Sequence, residues 1–336
     1  MKILIVTYGI RNNWTGGVHK YFHSIAPILK KNGHEVYFFD GDNITKSQPD
    51  VLEGIKFVTN GIGSKKEFGK FFLKTKPQAI HIQAEFSVGV AARKFCMEEG
   101  IPFTTAYHTN FDKVIKEYHA PIGWVWPYLR WFHKSASMIH TLTPRLKKLL
   151  EDKGIKKTIA VFPPGVSRKE FFYEKGTTFL KGHPRPYFVT MSRISKEKNI
   201  EAFLKLDLPG TKFVIGDGPY KSYLMRKYGK SAIFLPYVKV RECLSESDVF
   251  VWPSKFDTFG LGILEAMASG LPVAAYPVMG PQDILEEGVT GSMSEDLQKA
   301  ALACLSLKKD ACIEAASHYT WEKTADNFLN HQVVIQ

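Results

Sequence analysis

Short runs of β-branched and aromatic residues alternate with longer amphipathic stretches, and this alternation occurs twice along the chain. The runs that predict strands are 3–7, 35–40, 79–83, 102–107, 139–141 and 158–162 in the first half, and 187–191, 212–215, 232–235, 249–251 and 273–276 in the second. Stretches with helical periodicity separate most of them. Repeated strand–helix–strand units are typical of parallel, doubly wound sheets. The sequence therefore predicts an α/β chain with two such sheets.

The segment over residues 163–183 separates the two sets of strands. It is rich in proline, glycine and charged residues and has no clean periodicity, which is typical of a domain boundary. A length of 336 residues also favours two domains. We therefore predict a first domain over residues 1–167, a second over 168–318, and a terminal helical segment over 319–336.

The composition excludes several classes of protein. Apolar residues make up 44% of the chain and charged residues 23%, so disordered and fibrous proteins are excluded. No apolar run reaches the ~18 residues that a membrane span needs, and residues 1–8 resemble a buried strand more than a signal peptide. The four cysteines lack Cys-x-x-Cys spacing, which predicts a reduced, cytoplasmic protein without zinc.

The excess of positive charge lies entirely in the first half of the chain. Residues 1–170 contain 26 basic and 14 acidic side chains, whereas the remaining residues contain 19 of each. Such asymmetry indicates an anionic partner of the first half, namely a membrane surface, a nucleic acid or an acidic substrate. The alternative is a basic surface that only keeps the protein soluble.

Two segments of the first half follow predicted strands and could contact a ligand, because doubly wound sheets bind ligands at the carboxyl ends of their strands. Gly16 and Gly17 open a helix, where backbone N–H groups can bind a phosphate, although such a pair also suits a tight turn. His108 follows the strand at 102–107 and is either a ligand-facing or a structural histidine.

Two further segments belong to the second half. Arg193 and Lys198 lie five residues apart across a turn into a helix, where they could clamp a diphosphate or simply form a solvated basic loop. Gly216 and Gly218 form a turn that could line a nucleotide base or reverse the chain. The turn is not a dinucleotide-binding Gly-x-Gly-x-x-Gly motif, because position 221 is lysine.

The most informative stretch runs from residue 252 to residue 272. A buried strand leads to Asp257 and a turn of small residues, and an apolar helix follows that contains Glu265, eight residues after Asp257. Backbone N–H groups at the start of this helix can hold phosphate or sugar oxygens. A carboxylate within an apolar helix is costly without partners, and sugar hydroxyl groups would be suitable ones.

These residues resemble the retaining glycosyltransferases of family 4, which have the GT-B fold. The family signature is an acidic residue followed eight positions later by Glu-Ala-x-Ala-x-Gly-x-Pro-Val, and it stands here as Asp257 and residues 265–273. Residues 257–260 and 276–283 are most similar to the bacterial glycolipid and mannosyltransferase branch. Two departures are Asp257, where glutamate is commoner, and Ser167, where aspartate is usual.

The resemblance implies two Rossmann-like domains facing across a cleft, with the terminal segment packed back on the first. It also implies a role for each candidate residue. Glu265 would hold the donor ribose, Arg193 and Lys198 would neutralise the diphosphate, and His108 would lie beside the sugar and the acceptor hydroxyl. Asp257 would hold the donor sugar together with the backbone of Thr258, Phe259, Gly260 and Leu261. Further donor contacts would come from Gly16, Gly17, Gly216 and Gly218.

The same resemblance implies a reaction without cofactor or metal. Cations and helix N-termini would stabilise the leaving diphosphate, and a donor phosphate oxygen would take the acceptor's proton. Asp40-Gly41-Asp42 spells the metal motif of another glycosyltransferase fold, but it follows an early strand outside the proposed donor site and is interpreted as a turn.

The expected function is transfer of a hexose from a nucleotide-diphosphate sugar to a membrane lipid such as diacylglycerol. Residues 111–134 mix aromatic and basic side chains, which suits a membrane interface, a domain core or the lining of an acceptor cleft. We therefore expect a cytoplasmic enzyme bound peripherally to the inner, anionic face of the membrane. One alternative is a GDP-mannose-dependent mannosyltransferase acting on a polysaccharide or lipooligosaccharide. Another is a non-catalytic basic protein that binds lipid or nucleic acid, although the chain has no known nucleic-acid module and we expect no such partner.

Overall fold

The computed structural model describes residues 1–8, 17–40, 61–117, 119, 121–236 and 239–336. The chain forms two compact units. One consists of Met1–His108, Pro121–Pro163 and Trp321–Gln336, and the other of Thr109–Ala120 and Pro164–Thr320. The sequence-based limit after residue 167 lies four residues beyond the limit after Pro163.

The first unit contains a parallel sheet of six strands in the order β2-β1-β3-β4-β5-β6. Its strands are β1 (Lys2–Thr7), β2 (Glu35–Asp40), β3 (Ala79–Ile82), β4 (Thr104–Ala106), β5 (Met138–Thr141) and β6 (Ile159–Val161). Its helices are α1 (Gly17–Lys31), α2 (Gly61–Thr75), α3 (Ser87–Glu98), α5 (Val125–His133), α6 (Pro144–Asp152) and α14 (Trp321–Asn330). Residues 3–7 of the central strand β1 are all buried, which explains why this strand is a continuous apolar run.

The second unit contains the other parallel sheet, in the order β12-β11-β10-β7-β8-β9. Its strands are β7 (Tyr187–Met191), β8 (Thr211–Ile215), β9 (Ile233–Leu235), β10 (Val249–Trp252), β11 (Val273–Ala275) and β12 (Gly291–Met293). Its helices are α4 (Phe111–Glu117), α7 (Ile200–Leu204), α8 (Lys221–Tyr228), α9 (Val240–Glu246), α10 (Leu261–Ala268), α11 (Pro281–Ile284), α12 (Leu297–Ala303) and α13 (Lys309–Ser317). The predicted α/β class with two doubly wound sheets is confirmed.

Local sequence signals account for several element ends. Thr143 caps α6 by accepting a hydrogen bond from the backbone N–H of Leu146 at 3.1 Å, and Pro144 occupies the first helical position, where both residue types are favoured. Glycine in the left-handed region follows α1 at Gly33 and α10 at Gly270, because such a position favours a residue without Cβ.

Residues 321–336 complete the core of the first unit. The ring of Phe328 in α14 lies 6.0 Å from that of Phe22 in α1 and 5.0 Å from that of His81 in β3. After α14, Val334 bridges Ala79 at the start of β3. The terminal segment therefore belongs to the hydrophobic core rather than to a free tail.

Across the described ranges, no helix combines the length and the apolar composition that crossing a membrane requires.

Candidate functional site

The loop after β7 in the second unit carries both predicted cations. Arg193 lies two residues after the end of the strand, and Lys198 ends a short 3₁₀ turn over Lys196–Lys198. Asn199 follows with φ +51° and donates a hydrogen bond from Nδ2 to the carbonyl oxygen of Pro253 at 2.9 Å. This bond fastens the loop after β7 to the segment after β10, so the two loops hold a fixed separation.

Lys198 and Asp257 form an ion pair between these two loops. Lys198 Nζ lies 2.9 Å from Asp257 Oδ2, and the side chains are only 27% and 13% exposed. The second carboxylate oxygen, Oδ1, accepts a hydrogen bond from the backbone N–H of Thr258 at 2.9 Å. Partial burial strengthens such a charge-assisted contact relative to an exposed pair. The structure thus brings together two predicted site residues that lie 59 positions apart.

The indole ring of Trp252 forms a platform that the sequence did not reveal. Trp252 ends β10 and is 4% exposed, and Lys198 Nζ lies 5.3 Å from the ring centroid. A Cβ atom added to Gly262 would lie only 2.8 Å from the same ring. The close approach explains the glycine at position 262 and places the first turn of α10 directly on the platform.

Helix α10 begins after Gly260, whose φ of +96° explains why the predicted helix starts at a glycine. All residues of its middle are buried, and Glu265 is 6% exposed within it. The expected burial of a carboxylate in an apolar helix is therefore observed. Phe259 is 3% exposed and its ring packs 6.1 Å from that of Tyr319, so only its backbone is suited to a ligand contact.

The Gly216 and Gly218 turn packs against the loop that carries Arg193. Cβ atoms at these positions would lie 2.0 Å from the carbonyl oxygen of Ser192 and 2.4 Å from that of Ile194. The backbone N–H of Ile194 donates to the carbonyl of Asp217 at 2.8 Å. The glycines thus let two neighbouring loops approach at the carboxyl edge of the sheet, and their predicted contact with the donor stays a prediction.

The predicted residues of the first unit lie at the carboxyl edge of its own sheet. Gly17 is the exposed first residue of α1, whereas Gly16 lies outside the described residues. His108 follows β4, is 7% exposed, and its ring lies 5.2 Å from that of Tyr21. Burial lowers the pKa of His108 to about 3, so its imidazole is neutral near pH 7.

Asp40, the first residue of the Asp-x-Asp sequence, is fully buried at the end of β2. Gly41 and Asp42 lie outside the described residues. The part of the chain that the structure describes contains no group of three or more histidine, cysteine or acidic side chains suited to a metal ion. The expectation of a reaction without metal stays a prediction.

Helix α5 presents an aromatic and basic surface in the first unit, which we call the α5 surface. Its members are exposed, and they are Ile122, Trp124, Arg130, Trp131 and Lys134. The opposite side of the helix is buried through Val125, Leu129 and Phe132. The sequence left open whether the aromatic residues over 111–134 form a core or an interface, and the structure places some of them in buried and others in exposed positions.

The buried Arg93 of α3 fixes the end of α5. Its guanidinium donates hydrogen bonds to the carbonyl oxygens of Trp131 and Phe132, each at 2.9 Å, and it stacks 4.1 Å from the centroid of the Trp131 ring. These contacts hold Trp131 in its exposed position. A further exposed apolar residue, Leu73 of α2, is 69% exposed beside the exposed Lys70 and Lys74.

Comparison with known protein families identifies the chain. Residues 15–170 match the family described as Glycosyltransferase Family 4, and residues 185–310 match the family described as Glycosyl transferases group 1. Together with the two parallel sheets, these matches define the class as GT-B glycosyltransferases. The chain belongs to this family, with a family 4 domain followed by a group 1 domain, and the predicted resemblance is confirmed.

Curated relatives include enzymes of glycolipid and mannose transfer. The chain is 28% identical over 290 residues to sulfoquinovosyl transferase SQD2 of Arabidopsis thaliana, covering 76% of this chain and 56% of that protein. It is 29% identical to a GDP-mannose-dependent alpha-mannosyltransferase of Corynebacterium glutamicum, covering 76% and 67%. It is 26% identical to alpha-monoglucosyldiacylglycerol synthase of Streptococcus pneumoniae, covering 93% and 80%. The chain thus spans little more than half the length of the first of these relatives.

Solved structures share the fold at low sequence identity. Sucrose-phosphate synthase from Thermosynechococcus elongatus superposes with a TM-score of 0.81 at 17% identity, covering 98% of this chain and 97% of that chain. Anabaena HepE in complex with UDP-glucose has a TM-score of 0.71 at 16% identity, covering 98% and 99%. At this identity the likeness establishes the GT-B fold and nothing further.

Proposed function

We propose that the protein transfers a hexose from a nucleotide-diphosphate sugar to a membrane lipid acceptor such as diacylglycerol. The observation that carries the donor half of this proposal is the partly buried ion pair of Lys198 and Asp257 at the carboxyl edge of the second sheet, followed by the buried Glu265 in α10. The relative named as an alpha-monoglucosyldiacylglycerol synthase supports a lipid acceptor.

In the proposed reaction the bond between the anomeric carbon and the diphosphate oxygen breaks, and the acceptor oxygen bonds to that carbon from the same face. The acceptor's proton passes to an oxygen of the leaving diphosphate. Arg193 and Lys198 supply the positive charge that stabilises this leaving group, each such contact lowering the barrier by about 3 kcal/mol. Asp257 orients Lys198 and, with the backbone N–H groups before α10, holds the sugar.

The first unit, which is proposed to bind the acceptor, is also proposed to bind an anionic membrane surface peripherally. The α5 surface places Trp124 and Trp131 beside Arg130 and Lys134, a combination that suits the headgroup region. Each lysine or arginine near an anionic surface contributes about 1 kcal/mol. Leu73, which lies among the lysines of α2, adds a further exposed apolar residue to the same basic unit.

A donor and acceptor screen tests the transfer. Purified protein is incubated with UDP-glucose, UDP-glucuronate or GDP-mannose and with dioleoylglycerol in phosphatidylglycerol vesicles. We expect a glycolipid whose anomeric configuration matches that of the donor, formed at an unchanged rate in EDTA. Transfer only to water-soluble glycans would contradict the lipid acceptor, an inverted product would contradict retention, and inhibition by EDTA would contradict a reaction without metal.

Vesicle sedimentation tests the membrane surface. We expect the protein to sediment with vesicles containing phosphatidylglycerol at low salt, and the double variant W124A/W131A to sediment much less. The matched control replaces the exposed Lys299 and Lys308 of the second unit by glutamine. Equal sedimentation of the tryptophan variant and the wild type would exclude the α5 surface as the contact.

A mannosyltransferase is the second candidate function. The 29% identical GDP-mannose-dependent relative supports it. Its alignment covers 76% of this chain, as does the alignment with SQD2. The same screen decides between the two, because this candidate uses GDP-mannose in preference to UDP-sugars and a polysaccharide or lipooligosaccharide acceptor.

A further inference from the structure

A buried carboxyl group lies at the carboxyl edge of the first sheet, three residues after the end of β3. Glu85 is 4% exposed, and its Oε1 atom has no hydrogen-bond partner among the described residues. Burial raises the pKa of Glu85 well above its usual range, which favours the protonated carboxyl group over the carboxylate. A buried carboxyl oxygen without a partner is unfavourable for stability, and its retention calls for a functional explanation.

The backbone around Glu85 is held rigidly. The hydroxyl group of Tyr128 donates to the carbonyl oxygen of Glu85, and the hydroxyl group of Tyr8 accepts from the backbone N–H of Phe86 at 2.8 Å. Ser87 adopts φ +31°, and a Cβ atom on Gly89 would lie 1.5 Å from the carbonyl oxygen of Ala84. The carboxyl group thus projects from a fixed strand–helix junction rather than from an adaptable loop.

The position of Glu85 in the sheet places it where a ligand of this unit is expected. Strand β3 lies between β1 and β4, so Glu85 lies between Tyr8, which follows β1, and His108, which follows β4. Ligands of parallel sheets bind at this edge.

Aromatic side chains connect Glu85 to the α5 surface. The rings of Phe86 and Tyr128 stack with centroids 5.1 Å apart, and Trp124 packs edge-on against both at 6.4 and 6.0 Å. Trp124 is exposed, whereas Glu85 is buried. A continuous set of packed rings thus joins the exposed Trp124 to the residue that follows Glu85.

We propose that Glu85 is an acceptor-positioning residue whose carboxyl group hydrogen-bonds a hydroxyl group of an uncharged acceptor headgroup. The proposal rests on the proposed function. A carboxylic acid both donates and accepts, which matches a hydroxyl group. A phosphorylated headgroup would instead bring a negative charge beside a buried acid, where the tyrosine hydroxyl groups that hold the backbone supply no compensating positive charge. Glu85 would thus favour glycerol or sugar hydroxyl groups over phosphate-bearing ones.

Kinetics with the purified full-length protein form the first test. With the donor that the screen selects and dioleoylglycerol in phosphatidylglycerol vesicles, we expect E85A to raise the KM for the lipid about tenfold or more. The KM for the donor should change less than about twofold, and E85Q should retain more activity because an amide also donates and accepts. The control is E99Q, at the exposed end of α3. An unchanged lipid KM in a folded E85A protein overturns the proposal.

Thermal stability without any substrate forms the second test. A carboxyl group kept for binding stabilises nothing in the free protein, so E85M should raise the Tm by about 2 °C or more. A structural carboxyl group would instead make E85M less stable, and that result overturns the proposal. If the wild type glycosylates no lipid yet E85M is more stable, the lipid acceptor fails while Glu85 stands as a ligand-binding group.

Discussion

The amine of Lys198 lies 2.9 Å from the carboxylate oxygen Oδ2 of Asp257, although the two residues belong to loops after different strands. The family resemblance implies a separate role for each residue, namely Lys198 toward the diphosphate and Asp257 toward the sugar. The contact makes them a coupled pair, in which the carboxylate orients the cation over the ring of Trp252.

Substitution of either member of this pair should impair catalysis without unfolding the protein. We expect K198M and D257N each to lower kcat about 10²–10³-fold, and the double variant to lose much less than the product of the two, because the residues act together. Steady-state kinetics of the wild type, the two single variants and the double variant give the coupling free energy between the two side chains. The control is K148M, which removes an exposed ion pair of the same 2.9 Å length in α6. Multiplicative losses would show that the two side chains act independently.

Glu265 should be required for donor binding. We expect E265A to abolish turnover of the nucleotide sugar while leaving the circular dichroism spectrum unchanged, because a carboxylate in α10 is proposed to hold the ribose hydroxyl groups. E265Q should weaken nucleotide binding about tenfold in titration calorimetry, since it loses the charge but keeps the shape. E314Q, an exposed change in α13, serves as the control. Wild-type turnover in E265A would refute the assignment.

The close contact between Gly262 and Trp252 predicts a local effect on both stability and activity. In G262A the new Cβ atom would lie 2.8 Å from the buried ring, so the ring or the helix must shift. We expect a loss of about 1–3 kcal/mol in the free energy of unfolding by urea, together with slower turnover as Lys198 moves with the ring. G123A is the matched control, because no heavy atom lies within 4 Å of its Cβ position. Equal stability of the two variants would mean that the platform is not tightly packed.

Acid should destabilise the first unit through its buried histidines. Burial lowers the pKa of His108, His133 and His140 to about 3 each, whereas the unfolded value is about 6.5. The unfolded chain therefore binds more protons than the folded chain between pH 6.5 and 3. The free energy of unfolding is thus unaffected by these histidines above about pH 6.5 and decreases as the pH falls through that window. Each histidine contributes a slope of up to about 1.4 kcal/mol per pH unit there.

Urea unfolding between pH 7.5 and 4.5 measures this dependence. Replacing His133 by glutamine should flatten the curve, because one titrating group is removed. A stability that does not fall toward pH 4.5 would contradict the buried, neutral state of these side chains.

Much of the fold could be predicted from periodicity. Strands β2 and β7 were predicted with their observed bounds, because the apolar runs are unambiguous there. Helices α4 and α5 were not predicted, since proline, tryptophan and lysine in residues 111–134 obscure a helical pattern that tertiary packing supports. Strand β12 is formed by Gly291–Met293, which have little intrinsic strand propensity.

The candidate site was predictable only as a set of residue types. The spacing from Asp257 to Glu265 predicted a carboxylate before a helix and one inside it, and both are observed. The ion pair with Lys198 depends on how two loops meet, and the role of Trp252 depends on its ring lying below both Lys198 and Gly262. Glu85 was overlooked because its sequence surroundings carry no motif, and only its burial distinguishes it.

The participation of residues 321–336 in the first unit has a consequence for how the protein is made. During translation this stretch is synthesised only after every residue of the second unit. Until then, the rings of Tyr21 and Phe22 lack their contacts with Trp321 and Phe328. A premature stop shortly before Trp321 would leave that apolar surface permanently open to chaperones and aggregation. Helix α14 thus completes the first unit only after the second unit has been synthesised.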